Sequence, residues 1–98
     1  MNRTIKIEVE NVNHPGSRKW VDRAMYDAMR NAYLKVVPGN PPGMTLAEIS
    51  EQLVGRLPDD LFPNGAKAGW WATTVQLDLE AKGLVKRGKT SPIRVHRR

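Results

Sequence analysis

Residues 66–97 read Ala66-Lys67-Ala68-Gly69-Trp70-Trp71-Ala72-Thr73-Thr74-Val75-Gln76-Leu77-Asp78-Leu79-Glu80-Ala81-Lys82-Gly83-Leu84-Val85-Lys86-Arg87-Gly88-Lys89-Thr90-Ser91-Pro92-Ile93-Arg94-Val95-His96-Arg97. Ala68, Trp71, Ala72, Val75 and Leu79 recur at helical spacing, which predicts a helix running to Lys82 with Gly83 as its C-terminal stop. Residues 84–87 and 93–96, separated by Gly88-Lys89-Thr90-Ser91-Pro92, predict two short strands joined by a basic turn. The expected order is thus helix, glycine, strand, basic loop and strand.

Upstream, residues 4–10 alternate, with Ile5, Ile7 and Val9 on one side and Lys6, Glu8 and Glu10 on the other, as in a strand with one buried face. Asn13-His14-Pro15-Gly16 is dense in turn formers, and residues 18–21 are expected to return as a second strand. Asp22 suits an N-cap, and Met25, Ala28, Met29, Ala32 and Val36 line one face of a helix over 23–36. Gly39-Asn40-Pro41-Pro42-Gly43 cannot continue a helix, because proline lacks an N–H and fixes its φ.

Thr45 followed by Glu48 predicts a capping box, with Met44 and Ile49 at the staple positions, so a second helix starts at Leu46. Its buried stripe is Leu46, Ile49, Leu53 and Leu57, and Pro58 is expected to end it. The following stretch, 58–65, is longer than the turn of about three or four residues usual in a DNA-reading helix-turn-helix. Leu61 and Phe62 are expected to fold back onto the core.

The Leu79-Glu80-Ala81-Lys82-Gly83-Leu84-Val85-Lys86-Arg87 run resembles the Leu-Glu-x-x-Gly-Leu-Val-x-Arg junction of the winged helix-turn-helix superfamily. The whole chain also resembles a family of small uncharacterised bacterial proteins that share the Asn13-His14-Pro15-Gly16 turn and a Gly69-Trp70-Trp71 helix start. The first resemblance implies an α+β winged helix-turn-helix: an N-terminal β-hairpin (1–21), a three-helix core (22–83) and a basic two-stranded wing with its tail (84–98), in one domain spanning 1–98.

The length of 98 residues and a 40% hydrophobic content suit one modest core. Without cysteine there is no disulfide framework, thiolate metal site or thiol nucleophile. No window reads as a signal peptide or a membrane span, so a cytoplasmic protein is expected. The net charge of +6 is concentrated: residues 81–98 hold Lys82, Lys86, Arg87, Lys89, Arg94, Arg97 and Arg98 and no acid. Such a block attracts nucleic acid first, and its bland alternative is a solubilising tail.

Around the third helix, steps of about 100° place Trp70, Thr73, Leu77 and Glu80 opposite Val75. Only Lys67, Thr73, Thr74 and Gln76 suit base edges, while Asp78 and Glu80 are expected to repel phosphate. Phosphate contacts are therefore expected mainly from Lys86, Arg87, Lys89, Arg94, Arg97 and Arg98. Trp70 and Leu77 are expected to be covered by the hairpin or by a second molecule, and in the latter case they form a protein interface or homodimer contact.

Residues 83–90 match the phosphate-loop pattern G-x-x-x-x-G-K-T, but they follow a helix and open none, so nucleotide hydrolysis is not expected. His14 and His96 lack metal-ligand spacing. Asp59-Asp60 reads as a turn cap, and no serine has a nucleophile setting. The expected function is non-enzymatic binding of double-stranded DNA in a small regulator, without metal or cofactor. The competing expectation is a protein-interaction module using the outward face of the third helix.

Overall fold

The computed structural model describes residues 5–98, so Thr4, at the head of the expected first strand, lies outside the described residues. Strands β1 (Lys6–Glu10) and β2 (Arg18–Asp22) pair antiparallel from Lys6↔Asp22 to Glu10↔Arg18. The turn between them closes through Asn11 and His14 carbonyls, which accept from His14 and Ser17 N–H, with Gly16 at a φ of 89° that disfavours other residues. Val9 and Val21 face inward and are buried, whereas Ile5, expected on that same face, is exposed beyond the ladder.

Helix α1 (Arg23–Val36) has the expected bounds, and Asp22 caps it by accepting from the Met25 N–H at 3.0 Å. Its buried face is Tyr26, Met29, Ala32 and Tyr33, while Met25, Ala28 and Val36 are only half-buried. The expected stripe was displaced because both tyrosine hydroxyls find acceptors on the third helix, which removes the usual cost of burying them.

The short strand β3 (Met44–Thr45) runs directly into helix α2 (Leu46–Leu53). Both halves of the capping box are present: Thr45 Oγ1 accepts from Glu48 N–H, and Glu48 Oε1 accepts from Thr45 N–H at 2.9 Å. Ile49 and Leu53 are buried, but Leu46 stays exposed and the helix stops at Leu53, short of Pro58. Beyond it the chain turns, with Arg56 N–H donating to the Leu53 carbonyl, and Leu57 is half-buried. Phe62 folds back onto the core, where it meets Trp71 edge-on at a centroid distance of 6.3 Å.

A 3-10 turn (Pro63–Gly65) leads to helix α3 (Ala68–Ala81). The α3 end is a Schellman motif: Gly83 has a φ of 77°, its N–H donates to Glu80, and Leu84 N–H donates to Leu79. Strands β4 (Val85–Arg87) and β5 (Arg94–Arg97) follow.

These two strands do not stand alone as the expected two-stranded wing. They form an antiparallel sheet of order β3-β5-β4, with Met44↔Val95 and Thr45↔Arg94 adding a third strand. Gly43, at a φ of 88°, makes this approach: a Cβ there would collide with the Val95 carbonyl. The described chain is thus α+β, with three helices and two small sheets around Met29, Tyr33, Val75, Leu79, Val85 and Val95. No helix among the described residues is long and apolar enough to cross a membrane.

Candidate functional site

The basic end of the chain is held by its own backbone before it meets anything else. Arg97 N–H donates to the Pro38 carbonyl and its Nε to the Val37 carbonyl at 3.0 Å, while Arg98 N–H donates to Leu84. Arg94 Nη1 donates to the Gly43 carbonyl at 3.2 Å and lies 3.7 Å from Glu48 Oε1. The hydrogen bonds from Thr45, backbone first, and then the Arg94 charge hold the Glu48 carboxyl below the usual carboxylate range. Arg94 and Arg97 therefore tie β5 to the connector between α1 and α2 as well as carrying charge.

Arg87 is half-buried, and its guanidinium grips Glu80 in a two-point pair at 3.0 and 2.9 Å. This pairing raises the already high pKa of Arg87. Behind it, Gln76 is buried rather than presented to the outside; its Oε1 accepts from the Tyr33 hydroxyl at 2.8 Å, and its Nε2 reaches Glu80 at 3.4 Å. Burial, followed by the Glu80 charge, pushes the Tyr33 phenol well above its ordinary pKa. The expected base reader Gln76 and the expected phosphate contact Arg87 are thus joined in one internal chain linking α1, α3 and β4.

Asp78 is fully buried. Its carboxylate accepts from the Tyr26 hydroxyl, from Glu10 N–H at 2.8 Å and from Lys82 Nζ at 2.8 Å. Burial and the bond to Asp78 push the Tyr26 phenol upward too. Neither acid of α3 faces solvent as a phosphate-repelling group: Asp78 is matched by Lys82, and Glu80, with a 7% exposed side chain, by Arg87. The (i, i+4) spacing of Asp78 and Lys82 was the available sequence signal for the first pair.

The hairpin closes one side of α3. Thr74 and Leu77 share a small cleft with Val9, Asn11, Ser17 and Lys19, so both face the hairpin. Trp70 remains 48% exposed; the Lys19 ammonium sits 4.8 Å from its ring and Trp71 meets it edge-on. Thr73 is exposed on the uncovered face, and Lys67, with a left-handed φ of 62°, is exposed where α3 begins.

Of the ten expected contact residues, Lys86, Lys89 and Arg98 are exposed at the wing and tail and make no ion pair among the described residues. Arg97 joins them as a charge without a carboxylate partner. On the sheet, Lys86 lies opposite His96, and Arg94 is two residues along β5 from it, so these three share the outward face. His96 was not singled out as a contact from sequence. Among the described residues no group of three or more His, Asp or Glu is placed to hold a metal.

A family of unknown function, DUF6958, matches residues 6–95. No curated protein and no solved structure matches the chain.

Proposed function

Because the chain belongs to the DUF6958 family, which carries no assigned activity, we propose its function from its geometry: it is a non-enzymatic, winged helix-turn-helix protein that binds double-stranded nucleic acid, DNA foremost, through its wing and tail. One observation carries this reading. Lys86, Lys89, Arg97 and Arg98, on the β4–β5 hairpin and its tail, make no ion pair among the described residues, while the two acids of the preceding helix are neutralised internally. Phosphate meets cations there and no opposing carboxylate of α3.

The element order supports the winged assignment. A strand between α1 and α2 pairs with the last strand of the chain, and α2 and α3 precede the β4–β5 hairpin. With Gln76 internal and Thr74 facing the hairpin, α3 offers Thr73 and Lys67 to a groove, too few groups for strong base readout. Binding is therefore dominated by the backbone and depends little on sequence, as suits an accessory or regulatory DNA-binding protein. The rival use of α3 as a protein interface is left with Trp70, because Leu77 lies against the hairpin.

Titration into a labelled random-sequence duplex tests this. Four phosphate contacts predict a slope of about −3.6 in log affinity against log salt, so that affinity falls about 150-fold between about 50 and 200 mM salt. Absence of binding at the lower salt would overturn the assignment.

A further inference from the structure

A second surface lies between α2 and α3, and its one charged lining residue is acidic. The stretch that joins α2 to α3 leaves an open cleft of about 500 Å³ between the end of α2 and the first turns of α3. Val54 and Leu57 form one wall, and Phe62 is among its lining residues. The opposite wall is Ala68, Gly69 and Ala72, none with a side chain longer than one carbon. A Cβ built on Gly69 would meet no atom within 4 Å, so the space is unfilled. Val54 is 75% exposed at the mouth.

The charged residue that lines this cleft is Asp59, whose carboxylate also accepts from the Asn64 N–H at 3.0 Å. Asp60 follows, and Glu51 lies one helical turn before Val54. None of these three carboxylates has an ion-pair partner among the described residues. The cations of the same segments face elsewhere: Arg56 lines a separate cleft with Lys35, and Lys67 lines another with Met25 and Trp70.

We propose that this cleft is a docking site for another protein, which inserts one large apolar side chain between Val54 and Ala72 and sets flanking lysines or arginines against Asp59, Asp60 and Glu51. The volume lies within the range of pockets that bury such a group. The acidic rim repels nucleic acid, so the occupant differs from the polyanion of the wing, and the site stands whether or not the wing binds DNA. A second copy of this chain carries one exposed segment of this kind, Arg18-Lys19-Trp20 with Trp20 61% exposed, and dilution of the protein alone separates that contact from capture of another protein.

The test titrates the ¹⁵N-labelled full chain with a capped Arg-Leu-Trp-Arg-Lys peptide, and separately with its Glu-Leu-Trp-Glu-Glu counterpart. The basic peptide is expected to shift the amides of Val54, Gly65, Gly69 and Ala72, with the acidic one binding at least tenfold more weakly, about two exposed charge pairs' worth. Ala72→Trp, which fills the cleft, is expected to abolish those shifts. Should that variant fold poorly, Val54→Ser at the exposed mouth is expected to weaken binding at least threefold, and Asp59→Asn with Asp60→Asn by about fivefold. The proposal is overturned if the cleft amides do not move, if both peptides bind equally, or if the same amides move on dilution of the protein alone, which would mark a contact between copies.

Discussion

Two polar clusters hang from α1 one above the other, seven residues apart, and they are built differently. At Tyr26 the acceptor is Asp78, fully buried and bonded to a phenol, a backbone N–H of β1 and the Lys82 ammonium. At Tyr33 the chain runs through neutral Gln76 to Glu80 and ends at Arg87, whose side chain is 33% exposed. The first cluster locks the hairpin to α3 around a buried charge. The second fastens the wing through a carboxylate whose side chain is 7% exposed rather than fully buried, and its cation is about as exposed as Lys82. In both, an acid of the helix that faces the wing end of the molecule is spent internally.

This contrast predicts unequal costs. Asp78→Ala strands a buried phenol and a backbone donor, while the Lys82 ammonium, with a 36% exposed side chain, turns to water, and it is expected to lower stability by about 2–4 kcal/mol. Arg87→Ala removes a 33% exposed side chain lying against Glu80, which lets water replace the guanidinium beside a carboxylate that keeps Gln76 as a partner, at an expected cost of about 1–2 kcal/mol. Urea unfolding of the two variants checks the order. Equal costs would mean that the wing pair is as isolated from solvent as the hairpin one.

The two clusters can also be told apart by titration, because each holds one of the chain's two tyrosines. Burial raises both phenols above their unfolded value near 10. A raised pKa stabilises the fold below the unfolded value, and that stabilisation is lost as pH climbs toward the folded one, at up to about 1.4 kcal/mol per pH unit for each phenol. Stability is therefore expected to fall by about 2 kcal/mol between pH 10 and 11, with little phenolate absorbance from the folded chain over that range. Tyr26→Phe and Tyr33→Phe should each remove part of the slope. A normal phenolate titration in the folded state would show that the hydroxyls are open to water.

What the sequence disclosed and what it hid divide along the same physical line. The bounds of α1, the capping box at Thr45 and Glu48, and the glycine stop at Gly83 rest on groups within a few residues of one another, and all were legible. Strand β3 was not, since its two residues become a strand only by pairing with Val95 and Arg94, fifty residues away. Nor was the fate of Gln76, Asp78 and Glu80. On a helical wheel Glu80 points outward, and only the position of α1 and β4 decides that Tyr33 and Arg87 meet this flank. The basic block was legible as composition, but its division into structural and unpaired cations required the folded sheet.

That division can be tested at the residues that do least for the fold. Lys86 and Lys89 are exposed and make no ion pair among the described residues, so Lys86→Ala with Lys89→Ala is expected to shift stability by less than about 0.5 kcal/mol. The same double variant removes two of the four proposed phosphate contacts and should flatten the salt slope of duplex binding by about 1.8. Arg87→Ala is the informative partner. It costs stability, yet its charge is already matched by Glu80, so its loss is expected to leave that slope nearly unchanged. If Arg87→Ala flattened the slope as much as the lysine pair does, Glu80 would be releasing the guanidinium to phosphate on binding. The ion pair that fastens the wing would then open in the complex.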